Sequence, residues 1–168
     1  MVQLNQKWDK ILELFFEEPN KRFSIREISK RTKIPSSSVQ RYLNELQKNG
    51  FITKDHFLNV NEYVRFRKTF FYIDRLYKSG LVEYFVKELN PSSITLFGSF
   101  RKGDSVKTSD IDIFVESSVK KQINLEKFEK VLKHKVDLFV EKDLYELQPN
   151  LVNNILNGVK LYGILKLK

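Results

Sequence analysis

The stretch that decides the reading runs from Phe97 to Val115, FGSFRKGDSVKTSDIDIFV. A short hydrophobic run, Ile94-Thr95-Leu96-Phe97, leads straight into Gly98-Ser99, as a strand leads into a turn. Ten residues separate Ser99 from Asp110-Ile111-Asp112, which opens an alternating run reaching Phe114. Side chains alternate across a strand, so Asp110 and Asp112 share one face while Ile111 and Ile113 take the core side. Two carboxylates about 7 Å apart on one strand face, at roughly 3.3 Å per residue, repel each other unless a cation lies between them. Hard oxygen ligands suit Mg²⁺ or Mn²⁺. Gly98-Ser99 offers the complementary half: glycine admits a close backbone approach, and amides at a strand-to-helix turn suit phosphate oxygens. Either half alone reads as a turn or a solvated strand face. In this order, with Asp137 on a further strand, they read as one metal-and-phosphate site.

The rest of the chain sets bounds on that site. Its 168 residues allow one medium domain or two small ones, and 41% hydrophobic and 30% charged residues describe a globular protein. Apolar runs are short and broken by charges, which predicts no membrane span, and the first residues lack a signal-peptide core. Cysteine is absent, which removes disulfides and thiolate metal sites. A cytoplasmic protein is the expectation. The net charge of +9 is spread along the chain, compatible with nucleic acid or nucleotide partners without locating a face.

From the N-terminus, Leu4, Trp8, Ile11, Leu12 and Phe15 recur at helical spacing and predict a helix over about Asn5 to Glu17. Ser24 and Glu27 form a capping-box pattern ahead of a short second helix. After Lys33-Ile34-Pro35, Ser36 or Ser37 is expected to cap a third helix through Lys48, with Gly50 as its left-handed stop. Phe51–Thr53 and Phe57–Val60 then read as two short strands. Helix, helix, turn, helix, hairpin resembles a winged helix-turn-helix over Phe23 to Ile52. With Val39, Leu43 and Leu46 facing inward, the third helix turns Ser37, Ser38, Gln40, Arg41 and Asn44 outward. These are side chains suited to phosphates and base edges, with Lys54 at the wing. Such a face can instead be merely solvated, or serve protein interaction. His56 and His134 pair with no nucleophile or second ligand and read as surface or linker residues.

Asn61 is placed to cap a long helix, Glu62 to Ser79, stopped by Gly80. Its aromatic stripe, Tyr63, Phe66, Phe70, Ile73 and Tyr77, widened by Val64, Phe71 and Tyr72, calls for cover on more than one side. Packing between domains or across a dimer axis would supply it. Beyond a helix over Leu81–Leu89, the expected order is strand (Ile94–Phe97), short helix from Ser99 and strand (Ile111–Glu116). Helix (about Leu125–His134), strand (Val136–Glu141), helix (about Leu144–Leu156) and a closing strand near Val159–Tyr162 complete it. That is an α+β unit around a small mixed sheet.

Gly-Ser, ten residues, Asp-x-Asp and a later strand carboxylate together resemble the nucleotidyltransferase superfamily of polymerase-β-like fold, and within it the minimal (MNT-type) branch. The resemblance covers roughly residues 80–165, and together with the winged helix-turn-helix resemblance it implies two domains. One is an N-terminal, mainly-α winged helix-turn-helix (1–61), joined by an aromatic linker helix (62–80). The other is a C-terminal α+β nucleotidyltransferase fold with a small mixed sheet (81–168). It implies that Asp110, Asp112 and Asp137 are catalytic and hold two Mg²⁺ ions. Gly98, Ser99, Lys102 and Ser109 would then meet the phosphates of a nucleoside triphosphate, with ATP the expected donor. Where the family often has a small residue and Arg-Gly, this chain has Arg101-Lys102-Gly103. The acceptor would come from outside, since no acceptor-binding domain follows. Many small relatives are antitoxins that transfer AMP to a HEPN-type partner protein. A DNA-binding regulator that senses nucleotide or partner without turnover is the competing expectation, and transfer to RNA a third. A homodimer would suit a winged helix reading a palindrome.

Overall fold

The computed structural model describes residues 6–165. Leu4 and Asn5, which the sequence assigns to the first helix, lie outside the described residues. The chain falls into two compact units, Met1–Arg65 and Phe66–Lys168. No helix among the described residues is long and apolar enough to cross a membrane.

The first unit holds α1 (Gln6–Glu17), α2 (Ile25–Thr32), α3 (Ser36–Lys48) and the start of α4 (Glu62–Lys78). Trp8, Ile11, Phe15, Ile28, Val39, Leu43 and Leu46 are buried together with Tyr42, which the sequence reading left out of the core. Ser24 caps α2 by accepting from the Glu27 amide. Two expectations fail. α3 has Pro35 at its N-cap and no side-chain cap, because the hydroxyls of Ser36 and Ser37 already lie inside the helix. The wing is not a pair of strands but a single bridge between Ile52 and Leu58, flanked by the Thr53 N–H on the Phe57 carbonyl and the Asn59 N–H on the Phe51 carbonyl. Gly50 takes the expected left-handed conformation, φ +74°.

The second unit continues α4 and adds α5 (Leu81–Leu89), β1 (Ser93–Leu96), α6 (Gly98–Lys102), β2 (Ile111–Glu116), α7 (Glu126–Leu132), β3 (Val136–Glu141), a 3₁₀ turn (Leu144–Glu146), α8 (Pro149–Leu156) and β4 (Val159–Gly163). The sheet order is β3-β2-β1-β4, with β1 antiparallel to both neighbours and β2 parallel to β3. It is the small mixed sheet of the α+β reading. Ile94, Leu96, Ile113, Phe114 and Val115 are fully buried in it. The last helix is shorter than expected: Pro149 takes its first turn, where a missing N–H costs nothing, and Leu144–Glu146 forms the separate 3₁₀ turn.

The aromatic stripe of α4 behaves differently from its expectation. Val64, Phe71, Tyr72 and Leu76 are buried, whereas Tyr63, Phe66, Phe70 and Tyr77 are each about half exposed. This second side is partly covered: Tyr63 stands 5.9 Å from the Phe51 ring, and the Tyr77 hydroxyl donates to the Leu161 carbonyl.

Candidate active site

β1 ends at Leu96 because Phe97 breaks from the ladder, its N–H still bonded to the Asp112 carbonyl at 3.0 Å. Gly98 then turns at φ +66°, and α6 begins. That turn lies directly against β2. A Cβ built on Gly98 would stand 1.9 Å from Oδ2 of Asp112, so a carboxylate fills the space a side chain would need. On the other side of Asp112, the parallel register of β2 and β3 sets Asp112 opposite Asp137. Asp110, just before β2, is exposed, as is Asp137, while Asp112 is half-buried.

The electrostatics follow from that placement. Burial pushes the Asp112 carboxyl above the usual carboxylate range, and the charges of Asp137 and then Asp110 push it further. Among the described residues, no three acid, histidine or cysteine side chains already stand close enough to grip an ion. The donor set is nonetheless all oxygen, and a half-buried carboxyl pressed by two like charges is what a hard divalent cation relieves. The residues fit such an ion.

The remaining residues assigned to phosphate lie on α6 and in the loop that follows it. Ser99 is half-buried and Lys102 exposed. Ser109 forms a loop bond: its Oγ accepts from the Val106 amide at 2.9 Å, and its own amide donates to the Val106 carbonyl. Arg101 leaves the packing of α6 undisturbed, since it is exposed and the buried contact is made by Phe100.

Three residues behind this site escaped the sequence reading. Lys68 of α4 is 2% exposed and donates from Nζ to the Ser105 carbonyl. Its neighbour Thr69 donates to the carbonyls of Phe100 (3.2 Å) and Arg101 (3.0 Å), in the last turn of α6. His134, expected at the surface, is buried. Its Nδ1 lies 2.9 Å from the Ser109 carbonyl, and its ring stands edge-on to Phe100 and Tyr72. The signal available was positional: Lys68 and Thr69 fall on the helix face that also carries Phe71, Tyr72 and Leu76.

In the first unit the outward face of α3 holds the expected set. Ser37, Gln40, Arg41 and Asn44 are exposed and Ser38 half-buried, and Lys54 is exposed in the bridge loop. Gln40 Nε2 donates to Asn44 Oδ1 at 3.1 Å, and the Arg41 guanidinium lies over the Tyr42 ring at 5.1 Å. His56 has φ +60°, with Nδ1 3.3 Å from the Phe23 carbonyl.

Comparison with known proteins agrees with both halves. The family model of the IclR helix-turn-helix domain matches residues 10–56, and that of the nucleotidyltransferase domain matches residues 79–162, half of the chain. No curated protein and no solved structure matches it significantly. With the Gly-Ser turn, the paired strand carboxylates and the mixed sheet inside the matched region, the chain belongs to the nucleotidyltransferase family and carries a helix-turn-helix domain ahead of it.

Proposed function

We propose that the chain transfers AMP from ATP to a hydroxyl of a partner protein, in the manner of an antitoxin acting on a HEPN-type protein. On this reading it works in the cytoplasm and binds DNA through α3 to regulate transcription. The observation that carries it is the register of Asp112 against Asp137 with Gly98 closed onto the Asp112 carboxylate. That geometry supports the reading because the turn suited to phosphate touches one of the acids suited to a cation.

Asp110, Asp112 and Asp137 would hold the divalent cations, Mg²⁺ or Mn²⁺. Bound there, the metal supplies charge neutralisation between acids and phosphates and lowers the pKa of the attacking hydroxyl. Gly98 and Ser99 receive the outer phosphates, with Lys102 adding positive charge as a point donor rather than the fork an arginine would give. The acceptor oxygen bonds to the α-phosphorus as the bond to the β-bridging oxygen breaks. Pyrophosphate leaves, and the hydroxyl proton passes to a carboxylate or to solvent. Ser109 shapes the loop that delivers Asp110.

Labelled ATP and Mg²⁺ incubated with co-purifying proteins, wild type against Asp110→Asn, tests the reading. Label on a protein acceptor with wild type alone supports it. No transfer by wild type, together with tight DNA binding, would favour a regulator that does not turn over.

A further inference from the structure

α4 has two apolar faces. Phe71, Tyr72 and Leu76 are buried, whereas Phe66, Phe70 and Tyr77 are 55%, 53% and 49% exposed, with Ile73 half-buried between them. Phe66, Phe70, Ile73 and Tyr77 follow one another at steps of four, three and four residues. Those steps keep the four side chains on one stripe of the helix, in the order d, a, d, a of a heptad seam, where they can meet a partner helix. The rings of Phe66 and Phe70 already lie 4.6 Å apart and form a continuous ridge.

We propose that this face is a dimer seam, occupied by α4 of a second copy packed antiparallel. The seam is self-complementary in that direction. Phe66 meets the other copy's Tyr77 and Phe70 its Ile73, and the two-fold axis repeats both layers, giving four apolar layers from four side chains. The same alignment sets Arg67 beside the other copy's Asp74 on the flank, again twice. A parallel alignment sets neither pair. Asp74 is bonded to Lys78 at 2.6 Å, but both side chains are exposed and such a surface pair exchanges readily. Three half-exposed aromatic side chains of about 150–250 Å² each leave about 300 Å² of apolar surface on one helix. A standard interface takes roughly 800 Å² per partner with its apolar part at the centre, so the seam supplies that centre. A dimer carries two helix-turn-helix units, the number a two-fold DNA site requires. The proposal is independent of the transferase reading.

Sedimentation equilibrium on the full chain at tens of micromolar tests it. Wild type is expected to be dimeric, and Phe70→Glu monomeric with its thermal melt retained, because the replaced ring is half exposed. Arg67→Asp places like charges together twice and is expected to weaken the dimer about tenfold. The double variant Arg67→Asp/Asp74→Arg is expected to restore it, and this pair decides the matter should Phe70→Glu not fold. A monomeric wild type overturns the proposal and leaves the face to the chain's own first unit or to another protein. A folded Phe70→Glu that still dimerises, or a double variant as weak as the single, overturns it too.

Discussion

Gly98 and Asp112 are in contact in a way that only glycine permits: a Cβ at 98 would lie 1.9 Å from Oδ2 of Asp112. Residue 98 also sits at φ +66°. Gly98→Ala therefore carries two costs, about 1–2 kcal/mol for the left-handed backbone and a forced displacement of the Asp112 carboxylate. The expected outcome is lower stability in urea denaturation and loss of most transfer activity. Full activity in Gly98→Ala would show that the close approach has no part in the site.

Asp112 itself is held at the expense of stability. Its folded-state carboxyl titrates above the ordinary value, first because it is buried and then because Asp137 and Asp110 are near. Between the ordinary and the raised value the folded chain binds more protons than the unfolded one, so stability falls as pH rises through that window and stays lower at neutral pH. Asp112→Asn, with no charge to desolvate, is expected to melt higher than wild type at pH 7 and to lose that advantage at acid pH. Mg²⁺ or Mn²⁺ should raise the wild-type melting temperature and leave Asp112→Asn unmoved. An Asp112→Asn melt equal to wild type at every pH would rule out the assigned strain.

The sheet and the strands that carry Asp112 and Asp137 were legible because period-two alternation and a fixed motif spacing are local properties of the chain. Ile111 and Ile113 face the core and Asp112 meets Asp137 for that reason. The features missed depend on tertiary partners. Lys68 looks like a solvated cation until the Ser105 carbonyl is brought to it, and His134 looks like a surface residue until Phe100 and Tyr72 enclose it. The wing failed for a related reason: Phe51–Thr53 and Phe57–Val60 have strand composition, but so short a loop closes only one bridge. The stripe on α4 was visible as apolar, yet composition cannot say which apolar face a domain will use.

Thr69 offers one hydroxyl to two carbonyls at the end of the helix that begins with Gly98 and Ser99. Removing it leaves carbonyl groups without that donor in a buried place. Thr69→Val is expected to cost about 1–3 kcal/mol and to raise the KM for nucleotide more than it lowers kcat, because α6 loses its support from behind. Thr69→Ser, which keeps the hydroxyl, should recover the KM. A KM in Thr69→Val equal to wild type would confine the residue to a structural part.

Arg41 stands on the outward face of α3, exposed, with its guanidinium over the Tyr42 ring and beside the Gln40–Asn44 pair. Its guanidinium lies over the buried Tyr42 ring and donates to the Tyr42 hydroxyl at 3.5 Å, but Arg41 itself is exposed, so Arg41→Ala should cost the fold no more than about 1 kcal/mol. Its effect on DNA distinguishes two contacts. As a reader of a base edge, its loss costs about 1–3 kcal/mol at one position of the site and relaxes preference there. As a phosphate contact, its loss weakens all sequences alike and lowers the salt slope by about one. Fluorescence anisotropy of a selected duplex and a random one, each across a salt series, separates these outcomes. Affinity unchanged on both duplexes would remove Arg41 from the interface and turn attention to Gln40, Asn44 and Lys54 on the same unit.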